Sequence, residues 1–447
     1  MNAAFFYKWA MILGLLLGQI LSVSAQNKDF DHALKVYGQF VAGQGDSIYA
    51  GLTKELQQKL SPAMFNDTFR QIEMQVGKFQ SKGDWKADTV QGVPVYYCDL
   101  KFERYNLRFF VAFSEEGLIN TIRLMPVPVT SATVTSREYD KTKMRECDIT
   151  VGADGFKLPG TLTLPLGQKR APVVILVQGS GPNDRDETLG PNKPFMDIAW
   201  GLAEHGIAVI RYDKRTKVYG ANFIPEGRAA DYDTEAVDDA VAAVAYAETL
   251  PEIDKDSIYV LGHSLGGTLA PRIASHANRL LAGIIIVAGL ARPLEDAVVE
   301  QVTYLATLTD SSTEAKDKIS AIKKEAENVK KIGTAEFDDN IPALFNLPSS
   351  YWMFANNYKP VDVAVKLTLP ILVLQGERDY QVTMEDFGLW HMGLLHNKNA
   401  FFKSYPKLNH LLQEGIGKST PMEYKQASTV PDYVISDIAT FIHQGTL

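Results

Sequence analysis

Ser257-Ile258-Tyr259-Val260-Leu261-Gly262-His263-Ser264-Leu265-Gly266-Gly267-Thr268-Leu269-Ala270 is the stretch on which the fold turns. Residues 257–262 form the apolar run of a buried strand, and residues 268–276 continue in a helical pattern. Between them, Gly262-x-Ser264-x-Gly266 describes a tight strand-to-helix turn. Glycine at both ends removes the side chains that would block the turn, and the serine hydroxyl is left exposed at the end of the strand. Three fixed positions alone recur by chance in about one chain of this length in seven or eight. The strand before and the helix after make the motif specific.

Working outward, buried parallel strands are expected at 172–178, 207–212, 282–288 and 371–375, with a last strand-like run at 401–405. Helical patterns alternate with them. Residues 233–250 place Val237, Ala240, Val241, Val244 and Ala247 on one face, with Glu235, Asp238 and Asp239 near the positive N-terminus. The alternation predicts an α/β domain over 144–447, a mostly parallel sheet with helices on both faces. A helical cap insertion interrupts it at about 293–359. Ile319, Ile322, Ala326 and Val329 form an apolar stripe there, followed by Phe345, Tyr351, Trp352, Phe354 and Tyr358, candidates for a pocket wall.

Residues 26–128 read as a small α+β unit. Phe30, Leu34, Tyr37 and Val41 recur at helical spacing, Val93, Val95 and Tyr97 alternate, and strand-like runs follow at 107–113 and 118–124. This pattern resembles a secreted bacterial domain of nuclear-transport-factor-two-like shape. No titratable cluster stands out in it, so an accessory role is expected. Residues 129–143, rich in Thr, Ser and charge, read as a linker or a pair of edge strands.

Hydrophobic residues at 46% and charged residues at 22% of 447 suit a soluble globular chain with a sizeable core. Lys8, the apolar run 9–21 and Ser22-Val23-Ser24-Ala25 fit a secretory leader, residues 1–25, cleaved after Ala25. An uncleaved anchor would need about 20 apolar residues, and no stable membrane insertion is expected. Removing the leader takes away one Lys and no acid, so the net charge moves from -8 to -9. No basic run could follow a phosphate backbone, and nucleic acid is excluded as a partner. Cys98 and Cys147 are too few for a disulfide framework, although one bridge could form in an oxidising compartment.

A serine hydroxyl is a weak nucleophile at neutral pH, so a base must take its proton and an acid must hold that base in the right tautomer. The elbow resembles that of the α/β-hydrolases, and that resemblance implies that the acid and then the histidine follow the serine in the chain, each on a loop after a later strand. Asp379, in Gly376-Glu377-Arg378-Asp379, fits the acid position; Glu377 is the alternative, closer to the strand end and within reach of an Arg378 surface ion pair. Among eight histidines, His410 alone follows the last strand in a loop, and it is the expected base. His263 adjoins the serine but points away on an elbow and reads as a packing residue. The oxyanion formed by attack on a carbonyl needs N–H donors. By position these are the Leu265 N–H and the Ser180 N–H, the latter in Gly179-Ser180-Gly181-Pro182 after the first buried strand.

Residues 145–442 resemble the bacterial α/β-hydrolases of the dienelactone-hydrolase and serine-aminopeptidase-like group. The resemblance rests on Gln178-Gly179-Ser180-Gly181-Pro182, Arg185-Asp186, Arg211-Tyr212-Asp213-Lys214-Arg215, the Ser264 elbow, Gly376-Glu377-Arg378-Asp379 and Asn409-His410. It implies an α/β-hydrolase fold and hydrolysis of a small-molecule ester with no metal or organic cofactor, through Ser264, Asp379 and His410. Two departures stand out: many members carry His at the place of Gln178 and Glu at that of Leu265. Arg185, Asp186 and Lys214 are expected to brace the oxyanion loop through ion pairs. The expected activity is carboxylic ester hydrolysis through an acyl-enzyme. A peptidase or amidase on the same scaffold is the alternative, and a binding protein without catalysis a third reading. The leader and the resemblance together imply secretion, into the periplasm of a Gram-negative bacterium.

Overall fold

The computed structural model describes residues 23–66, 68–90, 93–102, 106–126, 137–309 and 313–447. Most of the leader, residues 1–22, and residues 127–136 of the linker lie outside them. The chain divides into two compact units, Met1–Ala132 and Thr133–Leu447.

In the first unit, the helix Val23–Val41 accompanies a four-stranded antiparallel sheet, β1 (Phe79–Val90), β2 (Val93–Phe102), β3 (Asn106–Phe113) and β4 (Ile119–Pro126), in that spatial order. Ala33, Val36 and Phe40 of the helix are buried, packed with Cys98, Leu100, Phe109 and Val111 of the sheet. The buried stripe is thus offset from the expected one. Leu34 and Val41 stand 40% exposed, while Phe30 and Tyr37 reach round the edge of the helix to T-shaped contacts with Trp85. β1 was not legible in the sequence because Lys82-Gly83-Asp84-Trp85-Lys86 carries few apolar residues and a glycine.

The second unit is built on an eight-stranded sheet: β5 (Met144–Val151), β6 (Leu158–Pro165), β7 (Ala171–Val177), β8 (Ala208–Tyr212), β9 (Ile253–His263), β10 (Gly283–Val287), β11 (Ile371–Gly376) and β12 (Ala400–Tyr405). Their spatial order is β12-β11-β10-β9-β7-β8-β6-β5. β8, β7, β9, β10, β11 and β12 run parallel, and β6 and β5 add an antiparallel edge. Alternation along β7 feeds two cores. Val173, Ile175 and Val177 meet Ala240, Val244, Leu269 and Ile273 on one face; Val174 and Leu176 meet Phe195, Leu202, Ile435 and Ile438 on the other. Burying each such side chain contributes about 1.5–3 kcal/mol. The predicted α/β class, with helices on both faces, is the observed one.

The chain leaves β7 to one side to form β8 and returns on the other to form β9. Such a reversal opens a crevice at the carboxyl ends of the strands, where ligands bind in open α/β sheets. Gly179 follows β7 and Ser264 follows β9, so the topology brings them together. Between β10 and β11 the insertion carries helices Leu294–Thr309, Thr313–Val329 and Ser349–Asn357 around a small core of Val298, Ala326, Val329, Leu344 and Trp352.

Candidate active site

Ser264 adopts φ 54 and ψ -118, a left-handed conformation that costs a non-glycine residue on the order of 1–3 kcal/mol. Its surroundings enforce it. The Ser264 N–H donates to the Val287 carbonyl at 2.9 Å, and the Ser264 carbonyl accepts from the Thr268 N–H at 2.9 Å. The glycines are needed for clearance: a Cβ on Gly262 would lie 2.0 Å from the Gly266 oxygen, and one on Gly266 would lie 2.1 Å from the Val177 oxygen.

The expected base and acid meet. His410 Nδ1 donates to Asp379 Oδ2 at 2.6 Å, with both residues buried. The other carboxylate oxygen accepts from the N–H groups of Gln381 at 2.7 Å and Val382 at 3.2 Å, so the acid is held on both sides. With Nδ1 occupied, Nε2 of His410 is the nitrogen left for proton transfer. Asn409 shapes the base loop by accepting at Oδ1 from Leu411 N–H and Gln413 N–H, both at 3.0 Å.

Arg378 does not pair with Glu377, as the sequence had suggested. It is buried, donates to the carbonyls of Gly417 at 2.6 Å and Lys407 at 3.2 Å, and pairs with Glu423, fastening the acid loop to the segment after the base. Glu377 instead accepts from the Ser404 hydroxyl at 2.8 Å. Tyr380 and Leu411, neighbours of Asp379 and His410, pack with Tyr424 and with Tyr304 of the insertion. Burial pushes the phenols of Tyr380 and Tyr424 up, and the Tyr424 hydroxyl accepts from Gln381 Nε2 at 3.1 Å.

On the other side of the serine, the Gly179 N–H donates to Glu187 Oε1 at 2.6 Å. The Gly179 carbonyl accepts from Lys214 Nζ at 2.8 Å and from Asn183 Nδ2 at 3.1 Å. A Cβ on Gly179 would stand 3.5 Å from Ser264 Oγ, so this backbone abuts the serine hydroxyl. Leu265 opens its helix, and its N–H therefore has no acceptor within that helix. Arg185 pairs with Asp213 at 3.0 Å, and Asp186 accepts from Lys193 at 3.1 Å and from Arg211.

His263 packs as its sequence context suggested, but among charges. Its Nε2 donates to the His410 carbonyl at 2.8 Å, and its Nδ1 lies 2.8 Å from Glu187 Oε2. That second approach is an ion-pair contact between two buried groups. Burial alone would lower the imidazole pKa; the Glu187 carboxylate, the His410 carbonyl and the charge of Asp379 outweigh it and leave it raised. Glu187 was not singled out in the sequence. A lone acid eight residues after Gly179 follows no spacing rule, and only the folded loop reveals it.

Residues 193–416 match the family described as serine aminopeptidase, S33. Over 418 residues the chain is 32% identical to "Esterase EstD" of Thermotoga maritima, covering 92% of this chain and 95% of that protein. The chain belongs to the serine aminopeptidase S33 family. As a member it is an esterase-like serine hydrolase of α/β-hydrolase fold. Residues 33–121 match a second family, described as a protein of unknown function, DUF3887, which fits the nuclear-transport-factor-two-like resemblance of the first unit. A shorter similarity, 25% identity over 152 residues, covers 30% of the chain and 58% of a putative carboxymethylenebutenolidase of Synechocystis. Among solved structures, Est1E of Butyrivibrio proteoclasticus is 20% identical, with 67% of this chain and 98% of that one covered at a TM-score of 0.43. Among the described residues, no helix is long and apolar enough to cross a membrane.

Proposed function

We propose that this serine hydrolase cleaves carboxylic esters of small molecules through an acyl-enzyme on Ser264, after export across the cytoplasmic membrane of a Gram-negative bacterium. The observation that carries the reading is the buried His410–Asp379 pair, 2.6 Å apart, whose His410 carbonyl accepts at 2.8 Å from His263, the residue before the strained Ser264. The similarity to an esterase over nearly the whole chain supports the ester as substrate.

In this mechanism Ser264 Oγ attacks the ester carbonyl carbon while His410 Nε2 takes the hydroxyl proton, and Asp379 stabilises the resulting imidazolium. The oxyanion is received by the N–H groups of Ser180 and Leu265. His410 returns the proton to the leaving alcohol as the C–O bond breaks. Water then repeats the sequence on the acyl-enzyme and releases the acid. The family's description favours an amide-cleaving reading on the same residues, and a substrate panel separates the two.

The test is fluorophosphonate labelling of protein recovered from the periplasm, with peptide mapping by mass spectrometry. The expected result is an adduct on Ser264 and a mature N-terminus at Gln26. The adduct should be absent in Ser264→Ala and formed at least about 100-fold more slowly in His410→Ala. Short-chain esters should turn over, and aminoacyl anilides should not. A folded wild type that takes no label would overturn the catalytic reading; anilide turnover above ester turnover would favour the peptidase; an N-terminus at Met1 would overturn export by cleavage.

A further inference from the structure

The Gly179 carbonyl and the Ser180 N–H belong to one peptide group, so whatever grips the first aims the second. In a trans peptide the two point in opposite directions. Lys214 Nζ, 2.8 Å from the Gly179 oxygen, therefore holds the plane in which Ser180 N–H is presented. A cation on the carbonyl also draws electron density toward oxygen and strengthens the N–H as a donor, by about 10–30% in condensed-phase estimates of hydrogen-bond chains.

Lys214 is only 2% exposed, and a lysine charge is expensive to bury. Its counter-charge is Glu235, also buried, whose Oε1 accepts from Lys214 Nζ. The second oxygen of Glu235 accepts from the Tyr351 hydroxyl at 2.7 Å. Tyr351 stands on the helix Ser349–Asn357 of the insertion, its ring edge-on to Tyr232 at 5.0 Å between centroids. Glu235 can reach inward because residues Asp233–Val237 form a single π-turn ahead of the helix Asp238–Thr249. Such turns add a residue and re-phase the face that follows. An apolar pair of similar volume would stabilise this interior at least as well, so stability alone does not account for the ion pair.

We propose that Lys214 is a positioning residue for the oxyanion hole, holding the Gly179–Ser180 peptide in its donating orientation, and that Glu235 and Tyr351 make this hold depend on the seating of the helical insertion. The insertion thereby acts on the chemical step from behind the reacting atoms, without itself touching the carbonyl. The inference rests on Ser264 as nucleophile and Ser180 N–H as oxyanion donor.

The test compares full-length wild type with Tyr351→Phe, Lys214→Met and the double variant Lys214→Met with Glu235→Gln, which leaves no buried unpaired carboxylate. Turnover of a short-chain p-nitrophenyl ester is read per active site, counted by fluorophosphonate titration. Affinity for a trifluoromethyl ketone, which forms a tetrahedral adduct on the serine, is measured alongside. Losing one oxyanion donor costs about 10²–10³ in kcat, so misaiming one should cost about 10- to 100-fold in both lysine variants. Tyr351→Phe should cost about fivefold, the worth of one hydrogen bond. Trifluoromethyl ketone affinity should fall in step with kcat, and KM should stay within about threefold.

If Lys214→Met does not fold, the double variant and Tyr351→Phe carry the comparison. Unchanged kcat per titrated site, or a loss confined to KM or to the number of titratable sites, would overturn the proposal while leaving the ester-hydrolase reading intact. A wild type that neither labels nor turns over ester would overturn that reading first, and this one with it.

Discussion

His263, one residue before Ser264, shows how little a residue's own sequence neighbourhood says about its charge. A carbonyl and a carboxylate lie against its two ring nitrogens, and both favour the charged ring. Because the folded pKa is raised, the stabilisation it contributes is fully present below the ordinary histidine value near 6.5 and is lost as pH rises through the folded pKa. His263→Gln removes the ionic partner of the buried Glu187 carboxylate, a loss of about 3–5 kcal/mol at the acid end of the range. Urea unfolding followed from about pH 6 to pH 10 should show wild-type stability declining on the alkaline side and the variant lacking that decline. Equal slopes would remove the role assigned to the pair. The contact between Asp379 and His410 was legible because order along the chain and strand ends restrict where such a pair can stand. Glu187 and Glu235 were not, since acids are common, and only tertiary contact separates one bonded to a buried amide from one in solvent.

At the scale of elements, the parallel strands were legible because continuous apolar runs have few other readings, whereas β5 and β6, inside the expected domain, were not assigned as strands. Both lie on an antiparallel edge, β5 interrupted by charged residues and β6 by prolines, the pattern that weakens a strand signal. Glu235, Asp238 and Asp239 read as helix-dipole partners, but they and Asp233 are each matched to one cation: Asp233 to Arg272, Glu235 to Lys214, Asp238 to Arg228 and Asp239 to Arg215. Most of the insertion's aromatic cluster forms a joint rather than an open wall. Tyr351, Trp352 and Tyr358 are buried, Tyr358 donating to the Thr268 carbonyl of the nucleophile helix at 2.9 Å, while Phe345 is exposed. Trp352, fully buried with its Nε1 donating to the Leu344 carbonyl at 3.2 Å, centres the insertion's own core. Trp352→Ala should weaken that core by about 3–5 kcal/mol while leaving both cores of the main sheet intact. Limited proteolysis should then cut within 294–357 faster than in wild type, and ester turnover should fall as Tyr351 loses its seat. Cleavage at the wild-type rate would show that the insertion does not depend on this residue.

Across the whole molecule, the hydrophobic clusters divide as the chain does. One joins residues between Ala33 and Ile119 of the first unit, and the two largest join residues between Ile149 and Ile442 of the second. A unit with its own core can unfold on its own, and the smaller one buries a smaller fraction of its surface. Cys98 offers a reporter for it. The thiol is fully buried in the first unit, and burial, with a smaller contribution from Asp99 against the opposing effect of Lys82, pushes its pKa up to about 12. It is therefore a thiol at neutral pH and slow to react until its surroundings open. Cys98 and Cys147 are both free, so Cys147→Ser leaves a single thiol in the chain. In that variant, reaction of Cys98 with an aromatic disulfide reagent reports the first unit, and ester turnover reports the second. With increasing urea, Cys98 should become reactive at a lower midpoint than the one at which turnover disappears, giving two separate curves. Coincident midpoints would mean that the two units unfold as one cooperative body despite their separate cores. Turnover that persists after Cys98 is exposed would, in addition, identify the first unit as dispensable for the chemical step, in keeping with the absence of any assigned site residue within it.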